Sequence, residues 1–235
     1  MLFDNGGTLF GRTPAAEAIV RLAAERGVRI TLADAQARWR GLKAAKSKSP
    51  EARLARNRSA AAHRAAYLAS YGPLDDICDG LAVAMYERYK TSPETMVPYA
   101  DTRGTLERLR EARVAIGIVS NTGWDIRQGY QHAGLAQLIE VFVLSHEHGR
   151  AKPDPALIRH ACDQLGVEPT ATLMVGNDAP ADGGAASAVG CPCLILPPAP
   201  AGAPRGLAHV LALAGLDSQA GDPGHSLPAT ATLTS

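Results

Sequence analysis

Asp4 stands at the end of a short apolar run, Met1-Leu2-Phe3, and opens the turn Asn5-Gly6-Gly7-Thr8 before Leu9-Phe10. A carboxylate at a strand end can act as a nucleophile, because at neutral pH it attacks without first losing a proton. Gly6-Gly7 lets the backbone fold tightly around whatever Asp4 attacks. A strand that simply ends in a turn would use the same residues. Three later stretches bear on the choice. Ser120-Asn121 follows the apolar run 114–119, Lys152 precedes Pro153, and Asn177-Asp178 with Asp182 follows the run 172–175. Taken singly, Ser120-Asn121 reads as a helix N-cap, Lys152 as a solvated lysine, and Asp178 and Asp182 as acids at a helix start.

The elements that carry these residues give them a common address. Continuous apolar runs at 114–119, 140–144, 172–175 and 192–196 read as buried parallel strands, with helical periodicity at about 101–112, 124–133, 154–165, 182–189 and 207–213. Alternating strands and helices predict a parallel sheet with helices on both faces. All strand carboxyl ends then lie on one edge, where ligands bind in open α/β sheets. Only three residues precede Asp4, which makes the first strand short for a central one.

Residues 14–96 read as nearly all helix. Thr13-Pro14 caps a first helix, Thr31 to Asp34 opens a second with a capping-box spacing, Ser49-Pro50 starts a long third helix to about Tyr71, and a fourth spans about 74–89. The expected fold class is therefore α/β, a Rossmann-like parallel sheet core with an inserted all-helical cap domain. The core is expected at 1–13 and 97–216, the cap at 14–96, and a Gly/Pro/Ser/Thr-rich disordered tail at 217–235.

With these four stretches in order, residues 1 to about 214 resemble the haloacid dehalogenase-like hydrolase superfamily, in the subgroup with a helical cap inserted after the first motif. The resemblance implies that Asp4 attacks phosphorus and forms an aspartyl-phosphate. It implies that Gly7, Thr8, the Ser120 hydroxyl, the Asn121 backbone N–H and Lys152 contact substrate, with Lys152 also neutralising charge at the nucleophile. Mg²⁺ is the implied cofactor, held by Asp4, the Gly6 carbonyl and Asp178, with Asn177 or Asp182.

Position 6 departs from the pattern. Family phosphatases typically carry an aspartate there as general acid and base, help worth about 10²–10⁴-fold; this chain has Gly6. His63 or Tyr67 from the cap are candidate substitutes. The leading expectation is a Mg²⁺-dependent phosphatase acting on a small phosphorylated or otherwise anionic substrate. The alternatives are a metal-independent carbon–halogen hydrolase that also uses Asp4, or a weakly active or inactive member that binds a phosphorylated partner.

Charge supports an anionic substrate without requiring one. The formal net charge is +1, yet residues 38–64 hold nine Lys/Arg (Arg38, Arg40, Lys43, Lys46, Lys48, Arg53, Arg56, Arg58, Arg64) against Glu51, so this segment carries +8 and the remainder −7. Such a run is more often a solvated helix face than a substrate funnel. The balance argues against nucleic acid as partner. No basic leader precedes a long apolar stretch, no apolar run approaches the roughly 20 residues of a membrane span, and the four cysteines follow no disulfide spacing, so a cytoplasmic location is expected. His146 and His148 are too sparse for a zinc site. Cys191 and Cys193 read as buried structural thiols, Trp39 and Trp124 as core, and Arg12 as either a substrate contact or a hinge residue.

Overall fold

The computed structural model describes residues 1–45, 49–200, 202–216 and 232–234. Strand β1 (Leu2–Phe3) is only two residues long, yet it lies inside the sheet. Two short strands, β2 (Phe10–Arg12) and β3 (Met96–Pro98), pair antiparallel where the chain leaves the core and returns to it. In the main sheet β1 is flanked by β4 (Gly117–Ser120) and β6 (Met174–Gly176), with β5 (Val141–Leu144) outside β4 and β7 (Cys193–Ile195) outside β6. These five strands are parallel. Burial on both faces explains their apolar character. Leu2 belongs to one apolar cluster, with Leu157, Ile158 and Met174, whereas its neighbour Phe3 belongs to the other, with Leu106, Leu109 and Tyr130.

The last strand, β8 (Thr232–Thr234), pairs antiparallel with β7. The remainder of the expected tail, 217–231 and 235, lies outside the described residues, as do Lys46 and Lys48.

Between β2 and β3 the described chain is helical: α1 (Ala15–Ala24), α2 (Leu32–Ala45), α3 (Pro50–Arg56), α4 (Ala60–Tyr71) and α5 (Leu81–Met85), with a π-turn over Tyr86–Lys90. Ile19, Leu22, Leu74, Leu81 and Met85 form an apolar cluster of their own there. The capping box at Thr31 is formed, with the Asp34 N–H donating to the Thr31 hydroxyl. The long third helix expected from Ser49 is instead two helices. Ser59 supplies a second N-cap, accepting from the Ala62 N–H, and the break at Asn57 and Arg58 turns the end of α3 toward the core. The fourth expected helix starts late, because Asp75 caps the Ala82 N–H across a turn.

The core helices are α6 (Thr102–Glu111), α7 (Arg127–His132), α8 (Ser145–His148), α9 (Ala156–Leu165), α10 (Gly184–Ser187) and α11 (Ala208–Leu213). No helix among the described residues is long and apolar enough to cross a membrane. Cys191 and Cys193 are buried, Trp39 packs in the cap cluster, and Trp124 packs partly against the core.

Candidate active site

The carboxyl ends of β1, β4 and β6 bring Asp4, Ser120 and Asp178 to one cavity of about 410 Å³ between core and cap, and the loop after α8 adds Lys152. Lys152 is 2 % exposed. Its ammonium donates to Asp4 Oδ1 at 2.8 Å, Asp182 Oδ1 at 2.7 Å and the Val119 carbonyl at 2.6 Å. Burial alone would depress the Lys152 pKa, but the charges of Asp182 and Asp4 outweigh it and hold the group above the usual lysine range. Burial pushes the Asp4 carboxyl up to about 6, with Lys152 pulling the other way.

All three Lys152 donors are thus committed to the protein. The ammonium is thus held against the Asp4 carboxylate. Asp182, at 1 % exposure, is likewise spent, since its Oδ2 accepts from the Asn177 and Asp178 N–H groups at 2.9 Å each. Its Oδ1 braces Lys152. Asn177 Oδ1 accepts from the Thr8 hydroxyl at 3.1 Å, which leaves that oxygen one further lone pair.

The turn after Asp4 is held by its own hydrogen bonds. The Gly7 N–H donates to the Phe10 carbonyl, the Thr8 hydroxyl to Asn177, and neither residue lines the cavity. Gly7 and Thr8 therefore shape the turn beside Asp4. Gly7 must be glycine: its φ is +84°, and a Cβ there would collide with the Asn177 amide. Gly6 has no such need, since a Cβ there meets nothing within 4 Å. The turn is closed by the Asn5 carbonyl, which accepts the Leu9 and Phe10 N–H groups, and by Tyr130, whose hydroxyl donates to Asn5 Oδ1.

Ser120 is buried at the end of β4 and lines the cavity beside Asn121. The Asn121 side chain grips the Lys152 main chain on both sides, donating to its carbonyl and accepting from its N–H, each at 2.8 Å. Only the Asn121 backbone is left to face a substrate.

The donor set can be tested against Mg²⁺. No group of three or more His, Cys, Asp or Glu is arranged for a metal among the described residues. Mg²⁺, however, is bound with one or two carboxylates, waters and a substrate oxygen. Asp4, Gly6 and Asp178 line the cavity and provide two carboxylates and a carbonyl. Asp178 spends Oδ1 on capping Ala181, while Arg53 of the cap pairs with its Oδ2. The set fits Mg²⁺ once Arg53 is turned aside.

Several residues that hold this arrangement were not read as functional in the sequence. The Ser145 hydroxyl accepts from the Thr122 N–H and lies 2.6 Å from the Asn57 carbonyl, tying the site loop to the cap. Arg205 is buried and its Nε donates to the Gly7 carbonyl at 2.5 Å. Arg12 bonds the Tyr89 carbonyl and the Thr95 hydroxyl at the hinge, and it also lines the cavity. His63 lies against Gly123, where a Cβ would overlap its side chain. Gly123→Ala is therefore expected to prop the cap away from the core. Overpacking costs about 1–3 kcal/mol, so KM should rise roughly tenfold with little change in the unfolding midpoint of the core, as steady-state kinetics and thermal melts would report.

Comparison with known proteins decides the lineage. A family model for haloacid dehalogenase-like hydrolases matches residues 1–190. The chain belongs to the haloacid dehalogenase-like hydrolases. Among curated members, a phosphoglycolate phosphatase of Cupriavidus necator is 34 % identical over 145 residues, 54 % of this chain and 55 % of that protein. An (S)-2-haloacid dehalogenase of Burkholderia cepacia is 30 % identical over 100 residues, 42 % of this chain and 43 % of that protein. The chain thus matches about half the length of these haloacid dehalogenase-like relatives. The fold recurs in a phosphatase structure from Thermococcus onnurineus, with a TM-score of 0.59, 22 % identity, and coverage of 91 % of this chain and 96 % of that one.

Proposed function

We propose that this haloacid dehalogenase-like hydrolase is a Mg²⁺-dependent phosphatase that works through an aspartyl-phosphate on Asp4. The observation that carries the proposal is the second carboxylate: Asp178 lines the same cavity as Asp4 although Lys152 already neutralises the nucleophile. Hydrolysis of a carbon–halogen bond has no use for a further acid there, whereas a phosphate site can use it to hold a divalent cation. Asp4, the Gly6 carbonyl and Asp178 would hold Mg²⁺, which would offset the repulsion between an anionic nucleophile and an anionic phosphate.

The remaining steps fall to the protein. Lys152 keeps one Asp4 oxygen fixed, so the other is presented to the cavity. Ser120 and the Asn121 N–H receive non-bridging phosphate oxygens. Asp4 forms a bond to phosphorus as the ester oxygen leaves with the bonding pair. Water then attacks phosphorus, releasing phosphate and restoring the carboxylate. With Gly6 in place of an acid, the leaving oxygen takes its proton from water or from a cavity residue such as His63, whose Nδ1 lies 3.0 Å from the Tyr86 hydroxyl.

A second reading, a metal-independent dehalogenase-type hydrolase using an Asp4 ester, is favoured by the pairing of Arg53 with Asp178 and by the missing acid. The two separate cleanly. Turnover of p-nitrophenyl phosphate should disappear with EDTA and return with Mg²⁺. Halide release from a 2-haloacid that ignores EDTA would instead establish the second reading.

The open space at Gly6 yields a further prediction. Gly6→Asp should fold without strain and increase kcat toward phosphate esters with poor leaving groups by about 10²-fold or more. A flat or lower kcat would mean that another residue already supplies the proton.

A further inference from the structure

The cap side of the cavity has a one-sided charge. Every acid that lines the cavity (Asp4, Asp178 and Asp182) comes from the core, whereas the cap contributes Arg53, Arg56 and Lys90 and no acid. Arg53 is already paired with Asp178. The other two converge on one ring: the Arg56 guanidinium carbon lies 5.3 Å and the Lys90 ammonium 4.7 Å from the centre of Tyr67. Arg56 Nε, moreover, is buried with no hydrogen-bond partner among the described residues. Buried donors are nearly always satisfied, and an orphan one points to a missing acceptor. It does not belong to the solvated part of the basic run: Arg38 and Arg64, by contrast, pair with Asp76 and Glu87 at half-exposed positions.

We infer that Arg56 and Lys90 form a subsite for a second anionic group, so that the substrate is a small phosphomonoester carrying a carboxylate or a second phosphate at its other end. The inference rests on the phosphatase reading for the phosphoryl end only. A cavity of about 410 Å³ holds a small metabolite. The core would take the phosphoryl group at Asp4 and Ser120, and the cap would take the far anion, with Arg56 presenting its planar fork. Since the far anion would be held by the cap, its binding would also favour closure over the site.

Non-hydrolysable probes test the subsite without requiring turnover. Calorimetric titration of the wild-type chain would compare methylphosphonate, which has one anionic end, with phosphonoacetate and propane-1,3-bisphosphonate, which add a carboxylate or a second phosphonate. Charge-assisted hydrogen bonds of this kind predict binding of at least one two-ended probe about 10–100-fold tighter than methylphosphonate. The tighter of the two identifies the far group. The advantage should collapse in Arg56→Gln and shrink in Lys90→Gln, and recover in part in Arg56→Lys, with circular dichroism establishing that each variant is folded. Equal binding of one-ended and two-ended probes, or an advantage that survives both Gln variants, would overturn the inference. If the advantage is present while no phosphate ester is turned over, the subsite stands and the phosphatase reading fails.

Discussion

Lys152→Met is expected to destabilise the protein by about 3–5 kcal/mol and to abolish turnover. Removing one partner of a buried ion pair leaves an uncompensated charge, and the cost is of that size. Here the penalty applies twice over, because Asp4 and Asp182 share the one ammonium and the Val119 carbonyl loses its donor as well. Methionine matches the length of the lysine stem, so the loss would reflect charge and hydrogen bonding rather than a cavity. Urea unfolding should show the midpoint falling with little change in slope. The defect should shrink as the pH is lowered and Asp4, whose carboxyl burial pushes up to about 6, takes up a proton. A loss below about 1 kcal/mol would mean that Lys152 is not the common brace of the two acids.

Asp4→Asn is expected to separate activity from stability. Turnover should fall by at least about 10⁴-fold, as for other nucleophile deletions. Stability should move the other way. Burial pushes the Asp4 pKa up to about 6, roughly two units above an ordinary aspartate, so its ionised form costs on the order of 3 kcal/mol at neutral pH. The sign follows from linkage: a raised pKa favours the folded state at low pH, and that advantage is lost as pH rises through about 6. Asparagine removes the charge while keeping an acceptor for Lys152. The cation-free variant should therefore melt several degrees higher than wild type at about pH 7.5, and the difference should vanish toward about pH 4. Strain of this kind, held at a catalytic group, is the usual stability–activity trade-off. In the wild type, kcat/KM should fall on the acid side, because only ionised Asp4 attacks.

The site was legible in outline because Asp4, Ser120 and Asp178 sit where apolar runs stop. Asp4, Ser120 and Asp178 are separated by more than a hundred residues in total, yet a parallel sheet brings their strand ends to one edge, and they do line one cavity. What the side chains do there was less accessible. The spacing of Asp178 and Asp182 suits both a metal pair and a helix start, and nothing local says that Asp182 turns inward to Lys152. Gly6 and Gly7 look alike in sequence, but only Gly7 has a positive φ and a neighbour in the way. The hinge strands β2 and β3 are three residues each and are defined by pairing across more than eighty residues, which no local periodicity records. The break between α3 and α4 was missed for another reason. Ser59 is a good N-cap, but it follows a helix that already had a strong start at Ser49-Pro50, so a continuous helix was the simpler reading. That break is consequential, since it brings Arg53, Arg56 and Asn57 to the cavity.

The most direct test of the account is to find the covalent intermediate. Wild-type enzyme turning over p-nitrophenyl phosphate with Mg²⁺ would be quenched in acid, digested and analysed by mass spectrometry. The account predicts one added phosphoryl group on the N-terminal peptide, located at Asp4, absent after EDTA treatment and absent in Asp4→Asn. Sustained phosphate release with the phosphoryl group on another residue, or with no phosphorylated peptide and full activity in Asp4→Asn, would contradict it.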